Sequence, residues 1–200
     1  MTTSHDEASA GRVAIVTGGS RGAGRATVRR LVSCGYAVVV DYLHDQRAAE
    51  ATVEAILAGN GAGVAVRADV ADDVDVTRLF DEAIEAFGGV DVVVHTVGSR
   101  TGLTPTLIVN REAAHRLRTG GAIVTLTGSA ATEVLIRTLA LELRERDITV
   151  NGVVLAVDGP CAPNRIADAV AYLVGDEGHG LTGRMIRIDE FEALNLRRSP

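Results

Sequence analysis

The sequence predicts an α/β fold in which a parallel sheet is covered by helices on both faces. Apolar runs of strand length alternate with amphipathic stretches of helix length along the 200 residues. Parallel neighbours need such crossover connections, and buried parallel strands favour β-branched residues. Valine and alanine are abundant, 22 residues are glycine and none is tryptophan. No internal repeat or linker divides the chain, so we expect one doubly wound, three-layer α/β/α domain.

Local signals place each element in turn. Gly35 ends the first helix, a glycine-rich turn at Asn60–Gly63 precedes the third strand, and Asp72 and Gly88 are the expected N-cap and stop of the third helix. The predicted strands are Arg12–Thr17, Tyr36–Asp41, Val64–Ala68, Val90–Val97, Ala122–Leu126, Ile148–Leu155 and Met185–Asp189. The predicted helices are Gly24–Ser33, Asp45–Ala58, Asp72–Phe87, Pro105–Arg118, Ala131–Arg146 and Asn164–Val174. We expect the domain to span residues 12–189, between a flexible segment 1–11 and a tail 190–200.

Charge and cysteine content exclude several classes of function. The net charge is −6, whereas a nucleic-acid-binding surface needs a basic patch. No run approaches the ~20 apolar residues of a membrane span, and residues 1–11 lack the apolar core of a secretory signal. Cys34 and Cys161 are isolated thiols without metal-ligand spacing. We therefore expect a cytoplasmic protein with reduced cysteines, no metal site, no membrane and no nucleic-acid partner.

The sharpest local signal is a glycine-rich segment between the first strand and the first helix. It reads Thr-Gly-Gly-Ser-Arg-Gly-Ala-Gly from Thr17 to Gly24. Glycines permit a tight turn and let the backbone approach a pyrophosphate, while the helix directs free N–H groups and its dipole at that charge. A second strand ends in Asp41 about 20 residues further on, as in dinucleotide-binding folds. A glycine-rich turn without a ligand is the alternative interpretation.

Together with later motifs, this segment resembles the short-chain dehydrogenase/reductase family, of the acyl-carrier-protein-reductase type. The further matches are Asp69-Val70, His95-Thr96-Val97-Gly98, Leu139–Leu143, Ile148–Asn151, Leu181–Gly183 and Ile188-Asp189. The resemblance runs from Arg12 to Asp189 and implies a Rossmann-type sheet that binds NAD or NADP, with Asp69 and Val70 against the adenine. The cofactor-binding residues that it implies are Gly18, Ser20, Arg21, Gly22, Ala23, Gly24, Asp41, Tyr42, Asp69, Val70, Thr96 and Gly98.

Two features bear on the choice between NAD and NADP. A carboxylate at the end of the second strand, such as Asp41, hydrogen-bonds ribose hydroxyls and repels a 2′-phosphate, which favours NAD. Alternatively, Tyr42 occupies that decisive position in the family register, and Asp41 points into the sheet edge. Arg21 resembles the basic residue that pairs with the 2′-phosphate in NADP-preferring members, and a solvated surface charge is its alternative. We expect NADP in preference to NAD.

The chain departs from the family's catalytic pattern. The resembling family reduces carbonyls with a Tyr-x-x-x-Lys pair, a serine and an asparagine, in which tyrosine donates the proton and lysine lowers its pKa. All 20 basic residues are arginine, so none of the tyrosines (Tyr36, Tyr42 and Tyr172) is followed by lysine. Alignment from either side places the serine, tyrosine and lysine positions on Thr125–Ser129. The stretch between strand and helix is therefore missing, and the substrate lid is shortened to residues 157–163.

Three residues are candidates for a catalytic role. Asn110 matches the family's helix asparagine in context, Ser129 lies at the shortened junction, and His95 ends a strand near the expected cofactor cleft. Helix capping is the simpler interpretation for Ser129 and Thr127, as is a structural hydrogen bond for His95. The histidines show no recognisable Ser-His-Asp spacing.

These residues leave three functions open. The first is an NAD(P)-dependent oxidoreductase with an unconventional proton donor, in which ordinary carbonyl reduction is weak or absent. The second is a non-catalytic dinucleotide-binding sensor or partner subunit, including the inactive half of a heteromer. The third is non-redox chemistry on the same scaffold. The helix 131–146 is apolar on more than one face, which predicts a homo-oligomer, either dimer or tetramer.

Overall fold

The computed structural model describes residues 11–97, 103–129, 131–154 and 162–188. Its strands are β1 (Val13–Val16), β2 (Ala37–Tyr42), β3 (Gly63–Arg67), β4 (Val90–Thr96), β5 (Leu117–Thr127), β6 (Thr149–Val154) and β7 (Met185–Arg187). Its helices are α1 (Gly22–Ser33), α2 (Gln46–Ala58), α3 (Asp73–Phe87), α4 (Leu103–Arg116), α5 (Ala131–Glu142) and α6 (Pro163–Val174). All strands pair in parallel in the order β3-β2-β1-β4-β5-β6-β7. The predicted doubly wound α/β fold is confirmed.

The helices form two layers around the sheet. α1 packs on α6 and, with α2, covers one face, whereas α3, α4 and α5 cover the other. Strand residues alternate between the two cores: in β1, Ala14 and Val16 join the first and Ile15 joins the second. Because both faces of the sheet are buried, its strands are nearly continuous apolar runs. No helix of the described residues is long and apolar enough to cross a membrane.

Helix ends follow the predicted capping chemistry. Asp72 accepts hydrogen bonds from the N–H groups of Val74 and Asp75 at 2.8 and 3.1 Å, which satisfies two of the donors at the start of α3. Gly88 ends that helix with a φ of 79°. Asp45 caps α2 in the same way, through the N–H of Ala48. The predicted N-cap and stop of the third helix are therefore confirmed.

Several predicted bounds are wrong. α1 begins at Gly22 rather than Gly24, and α5 ends at Glu142, followed by a single 3-10 turn. α4 ends at Arg116, and β5 begins at Leu117 rather than Ala122, because Leu117 pairs with Val90 across an irregularity in the ladder. Pairing with β4 decided this boundary, and helical periodicity in the sequence cannot report it. Residues 1–10 and 189–200 lie outside the described residues, so the predicted domain bounds remain predictions.

The strand order positions a crevice. β1 lies between β2 and β4, so the connections after β1 and after β3 run to opposite sides of it. Open α/β sheets bind ligands at such a switch point, beyond the carboxyl ends of the strands. The glycine-rich segment follows β1 at this end of the sheet. Topology alone therefore directs the search for a site to the ends of β1, β2 and β4.

Candidate functional site

The glycine loop, residues 17–24, has the backbone that only glycine readily adopts. Gly18 and Gly22 have φ values of 64° and 56°, which L side chains rarely adopt. Gly24 lies against the loop itself, since a Cβ there would come within 2.3 Å of the Gly18 carbonyl oxygen. A Cβ on Gly22 would meet nothing within 4 Å. Gly24 therefore closes the loop, and Gly22 leaves its outer surface open.

The amino end of α1 is available to an anion. Arg21, its N-cap residue, makes no side-chain capping bond, and the first turn contains no acidic residue. No capping side chain or acidic side chain of the first turn therefore balances the free N–H groups and the positive end of the helix dipole, which lie at the crevice. This is the arrangement that binds phosphate groups in dinucleotide-binding folds.

A cavity of about 140 Å³ lies between this loop and the end of β2. Whole ligands commonly occupy pockets of roughly 300–1,000 Å³, so this cavity matches one part of a dinucleotide and not all of it. Of the residues implied by the family resemblance, Gly18, Ser20, Arg21, Asp41, Tyr42, Val70 and Thr96 line it. Thr17, Leu43, His44, Asp45 and Ala68 complete its lining. His44 and Asp45 were not predicted from the sequence as site residues, although their position directly after the second strand is a usable signal.

Asp41 lies in the wall of this cavity and does not point into the sheet edge. The residue is 3% exposed, and its Oδ2 accepts a hydrogen bond from the Gly18 N–H at 3.3 Å. Its backbone carbonyl accepts from the Gly19 N–H at 3.1 Å, so both groups of Asp41 hold the glycine loop. Burial raises the pKa of the Asp41 carboxyl to about 7, and Asp69 and Asp75 add to this effect, while the N–H groups of Gly18 and Ala68 oppose it.

Thr17 connects the ends of β1 and β4. Its Oγ1 accepts from the Thr96 N–H at 3.0 Å and lies 2.9 Å from His95 Nδ1. The direction of the bond between the hydroxyl and Nδ1 depends on the imidazole tautomer. Burial lowers the pKa of His95 to about 4, so its ring is neutral near pH 7. His95 is a hydrogen-bonding residue beneath the loop and does not line the cavity.

The hydroxyl groups at the β5–α5 junction are engaged with each other. Thr127 Oγ1 accepts from the Ser129 N–H at 3.0 Å and lies 3.2 Å from Thr132 Oγ1. Ser129 Oγ accepts from the Ala131 N–H at 3.3 Å, at the start of α5. Both hydroxyl oxygens therefore bind backbone N–H groups of the turn that leads into α5. β5 ends at Thr127 and α5 begins at Ala131, so strand runs almost directly into helix, as predicted.

Asn110, Tyr36 and Tyr172 lie away from the cavity, whereas Tyr42 lines it. Asn110 is completely buried, and neither atom of its amide group has a hydrogen-bond partner. Tyr36, at the amino end of β2, donates its hydroxyl to the Val174 carbonyl at 3.0 Å. Tyr172 lies in α6, and only Tyr42 reaches the cavity. No described tyrosine therefore combines a cavity position with a neighbouring cation bonded to it.

Of the other implied cofactor residues, Gly22, Ala23 and Gly24 begin α1 and do not line the cavity. Asp69 and Gly98 need separate mention. The carboxylate of Asp69 accepts from the Ala71 N–H at 2.9 Å, and Asp69 does not line the cavity, whereas its neighbours Ala68 and Val70 do. The structure therefore does not bring Asp69 to the cavity. Gly98 lies outside the described residues. Among those residues, no group of three or more histidine, cysteine or acidic side chains is placed to hold a metal ion.

Comparisons with known proteins agree on one family. A sequence profile described as short chain dehydrogenase matches residues 12–119. An uncharacterized oxidoreductase from Methylorubrum extorquens is 30% identical, with 88% of this chain and 95% of the relative aligned. A versicolorin reductase from Emericella nidulans is 31% identical, over 76% of this chain and 71% of the relative. A short chain dehydrogenase from Burkholderia cenocepacia, solved in complex with NADP, superimposes with a TM-score of 0.80 at 29% identity, over 88% of this chain and 95% of that one.

The first of these alignments also shows that the size difference is internal. It extends over 237 positions, which is more than 88% of a 200-residue chain can occupy, so this chain has gaps in the alignment. Because 95% of the relative is nevertheless aligned, the relative contains internal segments without a counterpart here. This agrees with the shortened junction between β5 and α5.

Proposed function

Because the chain belongs to the short-chain dehydrogenase family, we propose that it binds a nicotinamide dinucleotide at the glycine loop. The observation that supports this most directly is the uncapped amino end of α1 beside a loop with an open face at Gly22. Two further features fit such a ligand: Asp41 Oδ1 and Thr96 Oγ1 are buried at the cavity without hydrogen-bond partners. Buried polar atoms in that state are costly unless a ligand or water satisfies them.

We further propose that NADP is preferred to NAD. Arg21 is exposed and lines the cavity, where its guanidinium could pair with a 2′-phosphate. The Burkholderia relative was solved with NADP, which supports the same preference. A bound nicotinamide would supply hydride transfer, and this chain's residues would hold the phosphates and exclude water from them.

For the chemistry, we propose that ordinary carbonyl reduction is weak or absent. The chain contains no lysine, and the hydroxyl oxygens of Thr127 and Ser129 accept hydrogen bonds from backbone N–H groups at the β5–α5 junction. A positioned proton donor commonly contributes ~10²–10⁴-fold to such a reaction. Asn110, Ser129 and His95 remain the candidates for an unconventional donor, although Asn110 and His95 are buried. Arginine is a poor substitute because it keeps its proton near neutral pH.

The second candidate function is a dinucleotide-binding sensor or partner subunit without turnover of its own. The observation that favours it is the contrast between a complete glycine loop and a catalytic segment that has contracted onto Thr125–Ser129. Non-redox chemistry on the scaffold has no comparable observation in its favour. A cytosolic location and assembly into a homo-oligomer, or into a heteromer with an active homologue, complete this proposal.

The homo-oligomer is proposed on the exposed face of α5. Val134 and Leu141 are 70% and 75% exposed, and a groove of about 550 Å³, lined in part by Leu107, Leu135 and Leu139, lies between α4 and α5. A second copy would remove this apolar surface from water. Light scattering on the wild type and on Leu141→Glu tests the proposal. A monomeric wild type at micromolar concentration would contradict it.

Binding is tested by calorimetry with NADP, NADPH, NAD and NADH. Gly22→Val should abolish or greatly weaken binding, because its side chain projects into the space that the phosphates need. Gly35→Val is the matched control: Gly35 also has a positive φ, at 86°, with nothing within 4 Å, but it lies at the other end of α1. Failure of the wild type to bind any of the four at millimolar concentration would overturn the proposal. Absorbance assays with ketones, quinones and acyl thioesters then distinguish the oxidoreductase from the binding protein.

A further inference from the structure

A second cleft lies at the end of the sheet opposite the glycine loop. Its volume is about 610 Å³, which is within the roughly 300–1,000 Å³ of small-molecule sites. Thr149 begins β6, Arg184 directly precedes β7, and both line the cleft together with the second half of α5. Because all strands are parallel, this end is separate from the crevice at their carboxyl ends. Arg144 and Arg184 line this cleft and do not line the groove between α4 and α5.

Positive charge is concentrated in this cleft, although the chain as a whole has a net charge of −6. The residues of its lining that carry or can carry a charge are Arg137, Arg144, Arg184, His179 and Asp147. Arg137 pairs with Glu133 at 2.7 Å, and His179 Nε2 lies 3.6 Å from Asp147. Arg144 and Arg184 are exposed and form no salt bridge within the part of the chain that the structure describes. A cleft lined mainly by one sign of charge raises the local concentration of ligands of the opposite charge.

Buried hydrogen bonds hold the loop before β7, which forms one wall of the cleft. The amide group of Asn151, which is completely buried, donates to the Leu181 carbonyl at 2.8 Å and accepts from the Arg184 N–H at 3.1 Å. The Val150 N–H donates to Thr182 Oγ1 at 3.0 Å, so the hydroxyl hydrogen of Thr182 remains available to a ligand. The wall is therefore fixed before any ligand arrives, which reduces the entropy lost on binding.

We propose that this cleft binds a small molecule that carries two or more anionic groups, either phosphates or carboxylates. Arg144 and Arg184 each pair with one group, because a planar guanidinium offers parallel N–H donors to both kinds of oxyanion. Thr182 donates a further hydrogen bond from its hydroxyl group. Nothing lies within 4 Å of a Cβ built on Gly180, so the cleft is open to the ligand on that side. The inference does not depend on the proposed dinucleotide binding.

The experiment is calorimetry on the full chain with inorganic pyrophosphate and, separately, with citrate, at low ionic strength. Binding of pyrophosphate alone would identify phosphates as the recognised groups, and binding of citrate alone would identify carboxylates. Arg144→Gln and Arg184→Gln should each raise Kd by about tenfold, because each removes a charge-assisted pair, and the double variant should raise it further. Added salt should also weaken binding, since both arginines are exposed.

Two further variants assign the binding to this cleft. Arg29→Gln removes the same charge from the exposed surface of α1 and should leave Kd unchanged. An equal loss in Arg29→Gln would attribute the effect to net charge and overturn the inference. Binding that is lost in Gly22→Val and kept in the Arg144→Gln/Arg184→Gln variant would belong to the glycine loop and would also overturn it. Absence of binding by both anions at millimolar concentration would overturn the inference and leave the dinucleotide proposal to its own titrations.

Discussion

Replacing Asp41 by asparagine should stabilise the cofactor-free protein above neutral pH and change its stability little near pH 4. In the unfolded chain the carboxyl ionises with its ordinary pKa of 3.8, whereas burial raises the pKa in the folded protein to about 7. Between these values unfolding releases a proton, so the free energy of unfolding falls as pH rises and levels off above the folded pKa. The asparagine side chain does not ionise, so the variant would avoid this loss.

The magnitude follows from the size of the shift. The two pKa values differ by about three units, and each unit corresponds to ~1.36 kcal/mol. Ionisation of Asp41 therefore costs the folded state at most about 4 kcal/mol at pH 8, a large part of the ~5–15 kcal/mol stability of a domain. Water that enters the cavity would solvate the carboxylate and reduce this cost.

The assay is urea unfolding of the wild type and Asp41→Asn at unit intervals from pH 5 to pH 9, without cofactor. The difference between the two proteins should grow with pH and level off near pH 8. Asp75→Asn is the matched control: Arg78 and the Asp69 N–H lower the pKa of the Asp75 carboxyl below its ordinary value of 3.8, so the difference between the wild type and this variant should stay constant from pH 5 to pH 9. A difference in stability between the wild type and Asp41→Asn that is the same at pH 5 and pH 8 would refute the reasoning.

Three further predictions concern stability and can be measured by the same unfolding assay at one pH. Gly24→Ala should destabilise the protein by about 1–3 kcal/mol, because its Cβ would lie 2.3 Å from the Gly18 carbonyl oxygen. An unchanged unfolding midpoint would show that the loop accommodates the methyl group at no cost in stability. Thr17→Val should lower the free energy of unfolding by about 1–3 kcal/mol, since it leaves the Thr96 N–H and His95 Nδ1 without their partner. Thr17→Ser keeps the hydroxyl and should retain most of the stability. Equal losses in the two variants would exclude the hydroxyl as the cause. Asp72→Ala should cost about 0.5–2 kcal/mol through loss of the cap of α3, and Asp72→Asn should be nearly neutral; a comparable loss in the asparagine variant would point to charge instead.

Much of the fold was predictable because its signals are local. The apolar runs of β1, β2 and β4, the caps at Asp72 and Gly88 and the glycine loop are each contained within a few neighbouring residues. The end of α4 was not predictable in this way. Leu117 joins β5 because it pairs with Val90, and that pairing depends on a strand far away in the sequence. Helical and extended patterns overlap in such a short segment.

In the candidate site, as in the fold, local features were predictable from the sequence and long-range contacts were not. The sequence by itself determined that a glycine loop joins a buried strand to a helix and that no lysine is present, because both are properties of residue type and order. Tertiary structure alone decided that Thr17 meets His95 and Thr96, 78 and 79 positions away, and that the Asp41 carboxyl lies beneath the loop. The parallel register of β1 with β2 and β4 creates these contacts and the burial that comes with them. The protonation states of Asp41 and His95 follow from that burial, since desolvation depends on the whole surrounding structure and not on adjacent residues.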